Sequence, residues 1–482
     1  MTTLGKQSVN GVEPNQASNS ADDASALSAV EALGAFVAHA PRSYGEFELE
    51  RASLSVADTI GCMLYGADSP ETNAVLTAVR DWGEGTCPLV GRSETLPAPW
   101  AAMVNGVSAH CFDFDDWDDP SLVHTSAVTL PAILATMDET GWNSRDMLDA
   151  HIIGAEVIMR LGEALNPSHY WKGWHTTSTI GAVGAAAAVC RLLKLDERQA
   201  AAAISASTSL ANGYLSQFGT HMKPIHAGVA AKAGILAASL ARSGISASME
   251  VIDGPVSLLS TSSEADRAAM QSVMAKLGNP WALTEFGIHI KLYPSCGGTH
   301  RVIESALKIV REHGVKADEI VSIDINVPEF LDSLLPYRFP KTKPEALFSI
   351  AYCCAAALRW GKVGPAEFQP EAVVSSEIET LLNKTTITTR DTEYFDKLCI
   401  PGEEDVVTVV TRDSNGIQAG TDIPYGAPPR LADTDTVRAK FMDCARSRVS
   451  DERAAKIFDV VMDMDGKTGF AELQALMATE RA

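Results

Sequence analysis

The chain has 482 residues, enough for two or three domains and a large hydrophobic core. Its 39 Lys and Arg residues stand against 61 Asp and Glu residues, and the net charge of -22 would repel nucleic acid and anionic membrane surfaces. Nine cysteines without regular CxxC spacing, in a chain that starts without a signal-peptide pattern, indicate reduced thiols and a cytoplasmic protein.

Helical patterns dominate the first part of the chain. Residues 1–25 are polar and lack aromatic side chains, which predicts a disordered tail. Residues 26–284 repeat apolar residues with helical spacing, Asn143 is predicted to cap one helix, and runs of Ala and Gly indicate closely packed helix axes. The uncharged residues 199–222 contain polar side chains that are costly in lipid, so no membrane span is predicted.

Strand patterns are found between residues 285 and 425. The segments FGIHIKLYPS and IVSIDINVPEF alternate like strands on either side of a helical segment, and DVVTVVTRDSNGIQAG predicts a hairpin that turns at Asn415 and Gly416. Helical patterns return in residues 426–482. The predicted fold is mainly α with a smaller α+β domain, in which residues 26–284 and 426–482 form the helical domain and residues 285–425 the α+β domain.

An acidic stretch, HCFDFDDWDDPSLVHTSAVTLP, is a candidate metal site. Five carboxylates within seven residues cannot all stay ionised in one small pocket, so either a metal neutralises them or some face solvent and cap the next helix. Residues 115–119 also fit the DDxxD magnesium motif of α-helical terpene cyclases, although the partner motif of those enzymes is absent. The five carboxylates are Asp113, Asp115, Asp116, Asp118 and Asp119.

Two further stretches place polar residues beside predicted helices. His175 lies in GWHTTSTIG, where the positive end of a helix dipole lowers the pKa of a histidine and suits it to proton transfer. The alternative for His175 is a buried structural histidine. Lys223, in FGTHMKPIHAGVAAKAG, either anchors a substrate carboxylate or reaches solvent from a loop.

The segment IHIKLYPSCGGTHRVIESA predicts an anion site. Lys291 alternates with apolar residues along a predicted strand, and two glycines lead into a helix whose first turn carries His300 and Arg301. Cys296 is a weaker candidate, a nucleophile for which the sequence specifies no acid–base partner. Local cations and acid–base groups, without a phosphate-binding glycine loop, indicate a small carboxylate substrate.

Five motifs follow one another in an order that resembles the MmgE/PrpD family: NGVSAHCFDFDD, HTSAVTLPA, GWHTTSTIGAVGAAAAVCRLLKL, KPIHAGVAAKAG and KLYPSCGGTHRVIESAL. The resemblance extends from near residue 30 to the carboxyl-terminal helices. It implies a helical domain built from both ends of the chain, a smaller α+β domain between them, a homodimer, and an active site between the domains without metal or organic cofactor. The family includes 2-methylcitrate dehydratase, cis-aconitate decarboxylase and iminodisuccinate epimerase.

The resemblance also implies site residues. The catalytic residues that it predicts are Asp113, His124, His175, Lys223 and Lys291. The predicted substrate-binding residues are Trp117, His226, Tyr293, His300 and Arg301. Many family members have Thr at the position of Trp117, and Asp118 replaces the histidine of their DDxH motif. Trp117 would fill space near the pocket and change which substrate fits.

The function implied is that of a cofactor-independent lyase acting on a small di- or tricarboxylate, like cis-aconitate decarboxylase or 2-methylcitrate dehydratase. The two lysines would pair with substrate carboxylates, helped by His300 or Arg301, and stabilise an enolate-like or dienolate-like intermediate. The two catalytic histidines would move protons, and Asp113 would orient or tune one of them. The same residues would also serve a dicarboxylate epimerase, and a non-catalytic carboxylate-binding relative is the alternative from another class.

Overall fold

The computed structural model describes residues 27–137, 142–210, 212–392, 399–463 and 470–478. The predicted disordered tail, residues 1–25, lies outside the described residues. Helices predominate, and the main sheet is small and mixed, which confirms the predicted fold class.

The first part of the chain is helical, apart from one short antiparallel pair, β1 Cys87–Pro88 and β2 Thr95–Leu96. The predicted cap at Asn143 is confirmed, because its side chain accepts the backbone N–H of Asp146 and closes a capping box. In chain order, the helices are α1 Ala29–His39, α2 Glu46–Gly66, α3 Pro70–Val79, α4 Ala98–His110, α5 Thr125–Thr136, α6 Ser144–Leu165, α7 Ser168–Trp171, α8 Thr176–Leu192, α9 Glu197–Ser207, α10 Met222–Arg242, α11 Leu258–Ser262, α12 Arg267–Met274 and α13 Ala282–Glu285.

The main sheet belongs to the second part of the chain. Its strand order is β4-β3-β5-β6, with β3 and β4 parallel and the other pairs antiparallel. The strands are β3 Ile320–Pro328, β4 Thr385–Arg390, β5 Asp405–Thr411 and β6 Ser414–Thr421. The helices are α14 His300–His313, α15 Glu329–Leu334, α16 Lys343–Ala346, α17 Ile350–Trp360, α18 Pro370–Val373 and α19 Ser376–Leu382, followed by α20 Thr434–Ala445, α21 Asp451–Met462 and α22 Phe470–Met477.

Two large hydrophobic cores organise these elements. The first core is built from helices of the first part of the chain, and α20 and α21 add Phe441 and Phe458 to it. The second core combines the apolar faces of α14 and α17 with inward residues of β3 and β5, such as Ile325 and Val407. The chain therefore forms two lobes, and residues after α13 cross from one to the other.

Small residues allow close helix packing in the first core, as the Ala and Gly runs predict. A Cβ atom on Gly106 of α4 would lie 2.8 Å from the Cα atom of Gly228 on α10, so any side chain there would push the helices apart. Helix α10 is long and apolar enough to cross a membrane by length and composition, but 67% of its apolar stretch is buried in the protein. It is a core helix that packs against α4 and α8.

Two predictions about strands are wrong in detail. Residues 286–295, predicted as a strand, form only one isolated bridge, between Trp117 and His289, because the segment crosses between the lobes without a strand alongside it. The predicted hairpin exists as β5 and β6, but it turns at Arg412 and Asp413. Gly416, with φ of 144°, lies at an irregularity within β6.

Candidate active site

A narrow cavity between the two lobes collects all five predicted catalytic residues. Its volume is about 40 Å³, well below the roughly 150 Å³ of an engineered cavity that holds benzene. A bound polycarboxylate would therefore displace side chains of the wall. The cavity is lined by Asp113, Trp117, Leu122, His124, Tyr170, His175, Phe218, Lys223, Lys291, Cys296, Gly297, Leu334 and Phe348.

Helix ends position the catalytic side chains. His124 and His175 are the N-cap residues of α5 and α8, and neither imidazole caps its own helix. Lys223 lies in the first turn of α10, whereas Lys291 lies on the extended segment that follows α13. The two histidines are thus held at positive helix ends, where a second positive charge is disfavoured.

Asp113 lies at the centre of the polar groups. Its Oδ1 atom accepts hydrogen bonds from Lys223 Nζ at 2.9 Å and Lys291 Nζ at 2.7 Å. Burial alone would raise the pKa of Asp113, but the two ammonium groups outweigh burial and hold it well below its usual range. Its other oxygen, Oδ2, is buried and has no hydrogen-bond partner among the described residues.

The backbone turn at Asp113 is strained and held from two sides. Asp113 has φ of 50°, a left-handed conformation that is uncommon outside glycine. Lys291 Nζ donates to the carbonyl of Asp113 at 3.0 Å, and Lys440 Nζ on α20 donates to the carbonyl of Phe114 at 2.6 Å. Lys440 is itself paired with buried Asp58 at 2.6 Å. The carboxyl-terminal helices thus help to fix the turn that carries Asp113.

Asp115 sets the protonation pattern of two histidines. It accepts from His110 Nδ1 at 2.9 Å and from His124 Nδ1 at 3.0 Å. Burial raises the pKa of Asp115, but the two histidines more than offset this and lower it below its usual value. An ionised carboxylate can only accept, so both imidazoles carry their proton on Nδ1. His110 Nε2 is then free to accept from Lys223 Nζ, which lies 2.9 Å away.

His124 is arranged to take up a proton at Nε2. Burial outweighs the attraction of Asp115 and, together with His110 and the two lysines, lowers the pKa of His124 to about 3. The imidazole is therefore neutral, with an unprotonated Nε2 atom 3.3 Å from Asp113 Oδ1. A proton that arrives there would be stabilised by a carboxylate on each side of the ring.

The imidazole of His226 contacts the Nδ1 atom of His175. The two Nδ1 atoms lie 2.8 Å apart, and the edge of the Phe218 ring packs against His175. Burial, reinforced by the charge of Lys223, holds the pKa of His175 well below its usual value. Because Nδ1 is engaged with His226, only Nε2 of His175 remains for a ligand. His226, predicted to bind substrate, does not line the cavity and instead orients His175.

The predicted anion site at the start of α14 is not formed by His300 and Arg301. Arg301 Nε lies 2.9 Å from the buried carboxylate of Asp405, which ties α14 to β5. His300 Nε2 is 3.3 Å from the carbonyl of Ser295, and the His300 ring packs edge-on against Tyr293. None of the three predicted binders, His300, Arg301 and Tyr293, lines the cavity.

The acidic stretch separates into residues with different partners. Asp116 accepts the backbone N–H group of Ser126 in the first turn of α5 and acts as a buried cap. Asp118 accepts the backbone N–H group of Ser121, in the loop before α5, and the hydroxyl group of Thr125. Asp119 pairs with His289 at 3.1 Å. Of the five carboxylates, Asp113 lines the cavity, and Asp115 contacts His110 and His124.

The donor set favours ammonium groups over a metal ion. His110, Asp113, Asp115 and His124 place ligand atoms within 4.8 Å of one another, which would suit a divalent cation by distance. Two ammonium groups already occupy Asp113 Oδ1, however, and would repel such a cation at close range. The arrangement therefore suits an anionic ligand.

Comparison with known proteins agrees with this chemistry. Residues 31–271 match the model of the MmgE/PrpD N-terminal domain, and residues 293–464 match the model of the MmgE/PrpD C-terminal domain. The chain belongs to the MmgE/PrpD family. Residues 272–292, between the two matched segments, include the part of the MmgE/PrpD chain that crosses between the lobes and carries Lys291.

Curated MmgE/PrpD relatives are similar over most of the chain. A cis-aconitate decarboxylase-like protein of Aspergillus oryzae is 27% identical over 90% of this chain and 93% of its own length. Cis-aconitate decarboxylase of Mus musculus is 26% identical over 86% of each chain. Cis-aconitate decarboxylase of Aspergillus terreus is 25% identical over 89% of this chain and 91% of its own.

Several residues of this MmgE/PrpD site escaped the sequence analysis. His110 was not singled out, and Asp115 was named only as one of the five carboxylates of the acidic stretch. The two residues stand five positions apart in HCFDFDD, and a histidine–carboxylate pair at that distance is a usable signal. The aromatic walls Tyr170, Phe218 and Phe348 come from three distant segments, and no local pattern marks them.

Proposed function

We propose that this protein is a cofactor-independent lyase that removes carbon dioxide from a small unsaturated tricarboxylate of the cis-aconitate type. The observation that carries the proposal is the pair of buried ammonium groups, Lys223 and Lys291, that share Asp113 at the wall of a cavity containing His124 and His175. The names of the curated relatives support the same substrate class.

Each lysine keeps one N–H group for a ligand. An ammonium group has three N–H donors. Lys223 uses two of them, on Asp113 and His110, and Lys291 uses two on the side chain and carbonyl of Asp113. The third donor of each lysine has no acceptor among the described residues. Two substrate carboxylate oxygens would satisfy both donors by charge-assisted hydrogen bonds.

Decarboxylation requires stabilisation of one electron pair and delivery of one proton. When the carbon–carbon bond to the departing carboxylate breaks, its electron pair spreads into a neighbouring carboxylate as a dienolate. The two ammonium groups stabilise that charge, because they are fixed and shielded from water before the reaction begins. An imidazolium, at His124 or His175, then donates its proton to carbon, and the product carries one carboxylate fewer than the substrate.

Proton NMR in D2O tests the proposed reaction. Protein treated with EDTA is incubated separately with cis-aconitate, 2-methylcitrate and iminodisuccinate. We expect cis-aconitate to give a product with new vinylic signals, one deuterium per molecule and release of carbon dioxide. An alkene formed only from 2-methylcitrate would instead make the protein a dehydratase. Deuterium exchange in iminodisuccinate alone would make it an epimerase. If EDTA abolished turnover and added Mg²⁺ restored it, the proposal of a metal-independent site would be refuted.

Ligand binding is expected to take up a proton. His124 is neutral in the free protein, with a pKa of about 3, and a bound carboxylate raises that pKa. The complex then holds a proton that the free protein lacks, so the affinity rises as pH falls, by up to about tenfold per pH unit for one proton. Calorimetry with tricarballylate, a saturated analogue, measures the affinity and the proton uptake in buffers of different ionisation enthalpy. His124→Gln should reduce the uptake, and a pH-independent affinity of the unaltered protein would contradict the assignment.

A further inference from the structure

Trp117 forms one wall of the cavity and is fixed by two segments. Its backbone exchanges hydrogen bonds with His289, at 3.1 Å from Trp117 N to His289 O and 2.8 Å in the other direction. The indole also packs on the imidazole of His289, with ring centroids 4.0 Å apart. The indole also lies so close to Gly297 that a Cβ atom there would be 3.1 Å from the ring.

The packing partners of Trp117 are themselves held in place. His289 is buried, and its Nε2 atom lies at an ion-pair distance of 3.1 Å from Asp119 Oδ2, although the two atoms do not form a hydrogen bond. Gly297 begins the short helical turn that leads into α14 of the second lobe. The indole therefore contacts both the segment before Lys291 and the segment after Cys296, and Trp117 is 5% exposed.

We propose that Trp117 is a specificity-determining residue that restricts the cavity to unbranched tricarboxylates, and that His289 and Asp119 are the positioning residues that hold it. The inference rests on the proposed function and names the substrate class more narrowly: a carboxylate without an alkyl branch next to the indole. A substrate that carries one additional methyl group meets the fixed ring instead of a movable side chain.

The cavity size and the rigidity of the wall carry this argument. A tricarboxylate already has to displace side chains of this cavity of about 40 Å³, so an added methyl group is accepted only where the wall can move further. The indole has little room to move toward Gly297, where an added Cβ atom would lie 3.1 Å from the ring, or toward His289, whose ring centroid is 4.0 Å away. One methyl group in a well-fitted pocket changes discrimination by about 10-fold to 200-fold.

The test compares the unaltered protein with Trp117→Thr and Trp117→Phe on cis-aconitate and its 2-methyl homologue. Removing the indole is expected to raise the ratio of kcat/KM for the branched substrate to kcat/KM for the unbranched one by at least about tenfold, with Trp117→Phe intermediate. Asp119→Asn, which leaves the cavity lining intact, should shift the ratio in the same direction by less. An unchanged ratio in Trp117→Thr would overturn the proposal.

A binding measurement separates this inference from the proposed reaction. Calorimetry with tricarballylate and its 2-methyl derivative needs no turnover, and Trp117→Thr should narrow the affinity difference between the two ligands. If neither substrate reacts but this narrowing is seen, the decarboxylase assignment fails while the role of Trp117 stands. If the reaction proceeds and the affinity difference does not change, the role of Trp117 is wrong.

The space at Gly297 supplies a matched control. Gly297→Ala adds a Cβ atom 3.1 Å from the indole, so the ring has to shift by a few tenths of an ångström, and we expect tricarballylate binding to weaken. In the double variant Trp117→Thr, Gly297→Ala, the ring is absent and the Ala substitution should have little further effect. Equal losses with and without the indole would show that Gly297 acts independently of Trp117.

Discussion

Replacing Asp115 with Asn is expected to lower kcat, and with it kcat/KM, by about ten-thousandfold, the size of the loss in kcat when the orienting aspartate of a serine protease triad becomes asparagine. In the asparagine side chain, an NH₂ group, which donates, replaces one of the carboxylate oxygens, which accepted. The histidine that faces this NH₂ group must then present an unprotonated Nδ1 atom. The proton of His124 then moves to Nε2, the atom 3.3 Å from Asp113, and the imidazole can no longer accept a proton there. The charge that stabilises an imidazolium at His124 is lost as well.

Asp116 provides a matched control for this substitution. It is the next residue, equally buried, and burial with the nearby charges of Asp58 and Asp115 raises its pKa well above the usual value. A protonated carboxyl group resembles an amide, so Asp116→Asn should keep most of the activity and the cap on the N–H group of Ser126. Steady-state kinetics and circular dichroism are compared for both variants.

The outcomes of the two substitutions are distinct. Equal losses for Asp115→Asn and Asp116→Asn would mean that the turn, and not the tautomer of His124, controls activity. A folded Asp115→Asn variant with nearly normal kcat/KM would show that the chemistry does not depend on this carboxylate. The expected pattern is a large loss at one residue and a small one at its neighbour.

Local patterns carry much of what could be predicted here. Helix caps such as Asn143 and the apolar spacing of the helices depend on neighbouring residues only. The two catalytic histidines and Lys223 stand at helix starts, and Lys291 stands on the segment after α13, all in motifs that the family resemblance also marks. Their convergence on one cavity was an expectation from the resemblance, and the structure places these four residues and Asp113 in its wall.

Contacts with residues that are distant in sequence explain why some predictions were wrong. Arg301 looks like an anion ligand in a helix start, but buried Asp405, far along the chain, takes its guanidinium group. The alternation in residues 286–295 reflects burial of Ile288 and Ile290 in the first core, not a strand, because a strand needs a second strand paired alongside it. Neither fact is encoded in a short window of sequence.

The choice between adjacent carboxylates is a question of backbone geometry. Asp115 and Asp116 have the same chemistry, and composition alone does not say which of them meets the histidines. The turn at Asp113, with φ of 50°, directs Asp115 to His110 and His124 and Asp116 to Ser126. The number of charges predicts that the five carboxylates need different surroundings. It does not predict which carboxylate contacts which partner.

Replacing His175 tests whether its helix holds a reactive group or only packs around a buried ring. We expect His175→Gln and His175→Asn to lower kcat by about a thousandfold, within the range that one positioned acid–base group contributes. Asparagine places an amide near the position of Nδ1, so the contact with His226 can be kept while the titratable nitrogen is removed. The melting temperature should therefore change little in the Asn variant.

His151 is the control that makes this result specific. It is a buried histidine of α6, outside the cavity, with Nδ1 2.9 Å from Thr129 Oγ1 and Nε2 3.2 Å from Ser55 Oγ. Burial lowers its pKa to about 4, so it too is neutral near pH 7. His151→Gln should lower the melting temperature, because it disturbs two buried hydrogen bonds, while kcat stays close to that of the unaltered protein.

The two histidines thus separate packing from chemistry. A loss of kcat at His175 without a loss of stability, beside a loss of stability at His151 without a loss of kcat, would assign proton transfer to His175. If both variants lost stability and activity together, His175 would be a structural residue like His151. Proton delivery would then fall to His124, whose Nε2 atom lies between the shared carboxylate of Asp113 and the cavity.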